Sequence, residues 1–197
     1  MPAQDRRITE ADIIPDAEFA AERKARRAAL LPIKRARRVA LGPYCTVYFE
    51  SFETMLFQVQ EMLLIEKGGK AQLADELAAY NPLIPQGHEL IATVMFEVDE
   101  PARRARLLAE LGGVEERFFL KVADARIAAV QEGDVERTRE DGKTSSVHFL
   151  HFPMTEAEIA AFRDPAAEAL IGCDHPRYAH LAALGSETRA ELAKDLA

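Results

Sequence analysis

The stretch from Arg37 to Glu66 constrains the fold most, because a short alternating strand passes directly into a long apolar helix. Alternation puts Val47 and Phe49 on one side of the strand and Tyr48 and Glu50 on the other. The helix that follows carries apolar residues on one broad side and a polar set on another. A chain with this stretch at its centre must pack a sheet against a helix.

Local signals set the limits of the elements around this stretch. Gly42-Pro43 predicts a turn or bulge that divides residues 38–50 into two short strands. Ser51 is a typical helix N-cap, and Lys67-Gly68-Gly69 provides the stop. Residues 71–79 predict a second helix, and residues 88–98 alternate clearly enough to predict a strand.

The whole order of predicted elements favours an α+β fold with a mostly antiparallel mixed sheet packed against helices. One parallel strand pair is expected across the two helices that follow Glu50. A final strand over residues 169–173 leads through a loop into a last helix. We expect a polar loop over residues 131–143, and a strand apolar on both faces over residues 145–152.

Charge divides the chain into a basic helical N-terminal arm, residues 1–36, and one α+β domain, residues 37–197. Residues 1–38 carry ten Lys/Arg against six Asp/Glu, and the remainder carries 15 against 27, giving the total of −8. The arm's helix is predicted over residues 17–31 and ends at Pro32. Its basic face is either solvated or a docking surface for an acidic partner, and the solvated alternative is favoured. The acidic body disfavours nucleic acid.

Cysteine usage and hydropathy bear on the compartment. The chain has no CxxC pair, so the cysteine pattern predicts neither a zinc ribbon nor a redox pair, and in a cytoplasmic compartment Cys45 and Cys173 are expected to be reduced thiols. No apolar run approaches the roughly 20 residues of a membrane span, and charged residues interrupt the start of the chain where a signal peptide has its apolar region. A cytoplasmic location is the expectation.

Established catalytic motifs are missing from the sequence. There is no GxxxxGK[ST], GxGxxG, HExxH or GxSxG pattern, no EF-hand loop and no Glu-x-x-His pair on a helix. No reaction and no cofactor follow from the sequence.

The best candidate site is a polar cluster on an otherwise apolar sheet face. If strands 44–50 and 88–98 are neighbours, Tyr48, Glu50 and Glu97 share one face. Such a face is either the wet margin of the sheet or, with Arg37 or Arg38, a site for a small polar molecule or a metal. The candidate residues are Arg37, Arg38, Tyr48, Glu50, Gln58, Glu61, Glu97 and His148.

Three members of this set, and two residues outside it, have alternative interpretations. Gln58 and Glu61 lie one helical turn apart, where a structural network with an arginine is favoured over a binding role. His148 and His151 are three apart on a strand and therefore face opposite ways, which argues against a shared metal. Asp174 and His175 are metal ligands by type, but adjacent residues on an extended backbone diverge, so they are weak candidates.

Several segments together resemble one bacterial family, domain of unknown function 3501 (DUF3501). They are RRVALGP (37–43), FESFETMLFQVQEMLLIE (49–66), YNPLIP (80–85), SSVHFLHF (145–152) and CDHPRYAH (173–180). Members tend to be encoded beside rubrerythrin-like proteins and iron–sulfur oxidoreductase subunits. The resemblance therefore implies an accessory protein partner of a redox or peroxide-defence system, without any assigned catalytic residue. The alternative hypothesis is a small-molecule or metal-binding enzyme with a carboxylate-lined site on the sheet face.

Overall fold

The fold is taken from a computed structural model that describes residues 6–133 and 142–197. The six α-helices in this part of the chain are α1 (Asp16–Ala36), α2 (Phe52–Glu66), α3 (Gly69–Tyr80), α4 (Pro101–Glu110), α5 (Glu156–Arg163) and α6 (Ser186–Leu192). The strands are β1 (Arg38–Leu41), β2 (Cys45–Phe49), β3 (Glu89–Phe96), β4 (Phe118–Val122), β5 (Ala125–Ala128), β6 (Val130–Gln131), β7 (Val147–Pro153), β8 (Ala169–His175) and β9 (Tyr178–Ala183). The predicted α+β class is confirmed.

The strands form two antiparallel sheets. The five-stranded sheet has the order β1-β2-β3-β7-β6, and the four-stranded sheet has the order β5-β4-β8-β9. In the first sheet, Tyr48 of β2 pairs with Thr93 of β3, and Thr93 pairs with Phe149 of β7. The two strands that were expected to be neighbours are therefore hydrogen-bonded partners.

Turn and capping chemistry explains the central stretch. Gly42 has a φ of 71°, a left-handed conformation that glycine adopts without strain, and it separates β1 from β2 as predicted. The hydroxyl of Ser51 accepts a hydrogen bond from the Thr54 amide, so the predicted N-cap of α2 is confirmed. α2 ends where Lys67 turns left-handed, immediately before the two glycines.

One face of the five-stranded sheet packs against the four-stranded sheet. A single cluster of buried apolar residues contains Val47 and Leu90 from the first sheet and Leu120 and Ile171 from the second. The opposite face of the five-stranded sheet lies against α1 and α2. There a smaller cluster joins Met55 and Val59 of α2 to Ile91 of β3.

Three predictions about the fold were wrong. β2 and β3 are antiparallel, because α2 and α3 pack together as a hairpin and return the chain to the end where β2 finished. α1 continues past Pro32 to Ala36, and the carbonyl that loses its hydrogen-bond donor belongs to the exposed Ala28. β9 was predicted as loop; it pairs with β8 through a tight turn after His175.

Most of the polar loop predicted over residues 131–143 lies outside the described residues. Across the part of the chain that the structure covers, no helix is both long enough and apolar enough to span a bilayer. The N-terminal helix is anchored to α2, since the rings of Phe19 and Phe57 lie 5.6 Å apart, edge to face.

Candidate functional site

A cleft of about 860 Å³ opens between α1, α2 and the helix-facing side of the five-stranded sheet. α1 and the residues after it contribute one wall, α2 contributes another, and alternate residues of β2, β3 and β7 form the floor. Among the residues that line it are Arg27, Lys34, Arg37, Arg38, Tyr48, Glu50, Gln58, Glu61, Met95 and Phe149. Six of the eight candidate residues therefore border one cleft.

The solvent-exposed lining of the cleft has a simple composition. Each exposed lining residue is either a cation or an aliphatic residue: Arg27, Lys34, Arg35, Arg38, Leu31 and Ile65. Within residues 6–133 and 142–197, none of these four cations forms an ion pair with a carboxylate. The mouth of the cleft is thus positively charged on a protein whose net charge is −8.

Glu50 is the most enclosed carboxyl group of the cleft. It directly follows β2, and its two oxygens accept hydrogen bonds from the hydroxyls of Thr93 and Thr54, each at 2.6 Å. Burial raises the pKa of Glu50, while the two hydroxyls, Lys34 and Arg37 act in the opposite direction. Each oxygen of Glu50 therefore has a hydrogen-bond donor within the protein, and the side chain also lines the cleft.

Arg37 is a structural anchor behind the cleft wall. Its guanidinium forms two parallel hydrogen bonds to the Asp195 carboxylate, at 2.7 and 2.8 Å, and a third to the Glu50 carbonyl at 3.0 Å. Burial opposes the charge, but the hydrogen bonds and charge of Asp195 outweigh it and raise the pKa of Arg37. Bidentate geometry of this kind fixes orientation as well as charge.

The α2 wall carries the predicted pair Gln58 and Glu61. Arg23 of α1 binds both oxygens of Glu61, at 2.7 and 2.6 Å, and this interaction lowers the pKa of Glu61. Glu61 is therefore paired with an arginine, and this contact neutralises its carboxylate. Gln58 also lines the cleft. It is Gln60, on the buried side of α2, that bonds the backbone of Ile14.

A polar chain runs along the edge of the floor. The Tyr48 hydroxyl donates to Glu97 at 2.9 Å, and Thr46 donates to the other oxygen of the same carboxylate at 2.5 Å. Arg38 lies 3.4 Å from the Tyr48 hydroxyl and over its ring. Glu97 is exposed and does not line the cleft. Its carboxylate therefore orients the Tyr48 hydroxyl from outside the cleft.

His148 lies on the other face of the sheet, away from the cleft. It is fully buried between the two sheets, with its Nε2 2.9 Å from the Ser145 carbonyl and its ring against Phe96. The alternation that faces Phe149 toward the cleft turns His148 away. The cleft and His148 are therefore not parts of one site.

The weak metal candidates also point apart. Asp174 is exposed and pairs with Arg126 at 2.6 Å, whereas His175 is buried with its Nε2 3.3 Å from the Gly112 carbonyl. Across residues 6–133 and 142–197, no group of three or more His, Cys, Asp or Glu residues is arranged to hold a metal ion.

Sequence reasoning missed the cationic and apolar lining that comes from α1 and the floor. Lys34 and Arg35 follow Pro32, where the sequence predicts the end of the helix. The prediction therefore did not include the helical wall that these two residues form with Arg27. Met95 was already part of the candidate sheet face, whereas Phe149 looked like an ordinary strand residue. Arg27 and Lys34 are seven residues apart and therefore share one helical face, and this spacing is the sequence signal that could have indicated the basic wall.

Together the fold and the cleft define a class: an α+β protein with two packed antiparallel sheets and a basic cleft beneath two helices. A family model described as "Protein of unknown function (DUF3501)" matches residues 7–196, and the chain belongs to this family.

A crystal structure of a protein of unknown function from Burkholderia pseudomallei is similar to this chain, with 36% sequence identity and a TM-score of 0.89. The match covers 96% of this chain and 99% of the other. No curated protein matches.

Proposed function

We propose that this protein binds an anionic organic small molecule in the cleft between α1, α2 and the five-stranded sheet. The observation that carries the proposal is the solvent-exposed lining, which contains four cations and no carboxylate. Cations clustered around a concave surface focus a positive potential and favour anions. The volume of about 860 Å³ falls within the range of roughly 300–1,000 Å³ that is typical of ligand sites.

The two carboxyl groups that line the cleft do not oppose an anion strongly. Glu61 is neutralised by the bidentate contact with Arg23. Glu50 is held by two threonine hydroxyls, and burial raises its pKa, which favours the neutral form. An organic anion fits this balance of charge better than a metal ion, which would need several carboxylate or imidazole ligands.

The test uses the fluorescent anion 8-anilinonaphthalene-1-sulfonate as the probe. We expect saturable binding to the wild type that weakens about tenfold in Lys34→Gln/Arg38→Gln, since two partly screened charges are removed. The matched control Lys24→Gln/Arg106→Gln also removes one lysine and one arginine, both exposed and outside the cleft lining. Equal weakening in both variants, or no saturable binding by the wild type, would overturn the proposal.

A second candidate function is that of an accessory partner of an iron–sulfur or rubrerythrin-type redox protein. The basic face of α1 favours it, because exposed cations such as Lys24 and Arg27 could meet an acidic partner. The genomic neighbourhood implied by the family resemblance names the partner class. Association with the purified redox protein should weaken as salt rises, and a complex insensitive to salt, or no complex, would argue against this role.

A further inference from the structure

We infer that the ligand of the cleft is an amphipathic anion, such as a fatty carboxylate, with its charged head among the cations and its hydrocarbon part along the sheet floor. This inference rests on the proposed function and adds the chemical class of the ligand. The exposed lining contains two aliphatic side chains besides the four cations. Leu31 and Ile65 are 54% and 63% exposed, and they share the cleft's exposed lining with the cations.

The floor and walls continue this apolar surface inward. Half-buried Met95, Val147 and Phe149 line the floor, and half-buried Phe57 and Met62 line the α2 wall. A small hydrated anion could pair with the cations, but it would leave this surface in contact with water. A ligand with a hydrocarbon chain gains from both regions, because buried apolar area adds to binding. Methionine side chains adapt to chains of different shape.

The two buried charged side chains of the cleft, Glu50 and Arg37, do not require a polar tail. Both oxygens of Glu50 already accept hydrogen bonds, and Arg37 is committed to Asp195 and to the Glu50 carbonyl. A methylene chain that passes them leaves no donor or acceptor newly unpaired. The cations on the exposed lining, by contrast, have no carboxylate partner within residues 6–133 and 142–197, so they are available to an anionic head.

The experiment measures displacement of 8-anilinonaphthalene-1-sulfonate by acetate, hexanoate, octanoate and decanoate, each below its micelle concentration. We expect affinity to rise about three- to fourfold per added methylene, and therefore by about 80- to 250-fold over the four methylenes from hexanoate to decanoate. Decan-1-ol, which has the same chain without a charge, should bind at least about tenfold more weakly than decanoate. Displacement by decyl phosphate, compared with displacement by decanoate, shows whether the cations prefer a phosphate head or a carboxylate head.

Two variants separate the head from the tail. Lys34→Gln/Arg38→Gln should weaken decanoate and leave decan-1-ol unchanged. Ile65→Gln, at a side chain too exposed to threaten folding, should lower the gain per methylene at fixed head charge. Met95→Gln, in the floor of the cleft, should also lower the gain in affinity per methylene.

Failure of this inference and failure of the proposed function are distinguishable. If the probe binds in a charge-dependent manner but hexanoate competes as well as decanoate, the amphipathic class is wrong and the anion site stands. If decan-1-ol competes as well as decanoate, the head has no role and the inference is overturned. If the probe does not bind, both fall.

Discussion

The two faces of the five-stranded sheet come from the same strands, yet they are covered in different ways. Toward the second sheet, alternate residues such as Val47, Leu90 and Leu150 are completely buried. Toward the helices, their neighbours Tyr48, Thr93 and Met95 are half-buried and border the cleft. Strand alternation decides which residue faces which side, and the covering layer decides whether that side is closed.

The comparison shows on which face of the sheet a polar side chain costs less stability. A second sheet offers a continuous apolar surface that interdigitates with the first, so a polar side chain there must be satisfied within the core. Two helices crossing a sheet leave gaps that polar and charged side chains can border while reaching solvent. The candidate residues that share the cleft all lie on this more open side, and His148 is the exception on the closed side.

The largest expected effect is at the boundary of the cleft wall, where two adjacent arginines differ in burial. Arg37→Ala should lower the free energy of unfolding by about 3–5 kcal/mol, because it leaves the buried Asp195 carboxylate without its partner. Arg38→Ala, at an exposed site, should change it by no more than about 0.5 kcal/mol. Urea denaturation measures both, and equal costs would contradict the assignment of Arg37 as an anchor.

The next prediction compares the two faces on one strand. Leu90→Ala should cost about 3 kcal/mol, because the closed face cannot fill the resulting cavity. Met95→Ala should cost about 1 kcal/mol, because its side chain already borders open space. The difference in denaturation midpoints reports this contrast. If Met95→Ala proved as costly as Leu90→Ala, the cleft would be closed in solution.

A smaller effect with a pH dependence is expected at His151, which lies on the helix-facing side of β7. Its two ring nitrogens lie 2.9 Å from Glu89 and 2.7 Å from Glu132, and the hydrogen bond with Glu89 is the largest cause that raises the pKa of His151. The stabilisation is fully present below the ordinary histidine pKa of 6.5 and disappears as pH rises through the folded-state pKa.

His151→Gln should therefore cost roughly 1 kcal/mol at pH 6, with solvent screening taken into account, and less in alkaline solution. The exposed His88→Gln serves as the matched control for the loss of an imidazole. Thermal unfolding from pH 5.5 to 9 gives the profile. A cost for His151→Gln that stays constant with pH would show that the imidazolium pair adds nothing.

The smallest expected effect is at Glu50, and its pH dependence runs in the same direction as that of His151. Because burial raises the pKa of Glu50, its contribution to stability falls as pH rises from the ordinary glutamate range toward the folded-state pKa. Glu50→Gln keeps the size of the side chain without the charge, so it should gain on the wild type as pH rises through that window. Unfolding at pH 4 and pH 8 tests this. A variant that loses ground with increasing pH would mean that Glu50 is stabilised as a carboxylate.

Local chemistry made much of the fold predictable. The Ser51 cap, the Gly42 turn and the alternation of residues 88–98 act over a few residues, so the sequence specified them directly. The same alternation placed Tyr48 and Glu50 on one face of the sheet, and β2 does pair with β3. The weak strand β9 was missed because its pairing depends on β8 rather than on its own pattern.

The cleft itself could not be predicted, since it depends on how three distant segments meet. Lys34 comes from α1, Met62 from α2 and Phe149 from β7, and no local pattern links them. Pro32 also concealed the last turn of α1, because a proline inside a helix is tolerated where the lost hydrogen bond falls at an exposed carbonyl. The exclusion of His148 from the cleft depends on which face of the five-stranded sheet the second sheet covers, and no local sequence pattern specifies that face.

The pairing of Arg37 with Asp195 has a consequence for how the molecule folds. The two residues are 158 positions apart, so the loop they close is among the most entropically demanding in the chain. Contacts of such high sequence separation generally slow the search for the native topology. The back wall of the cleft therefore forms only when the segment before β1 and the segment after α6 have come together.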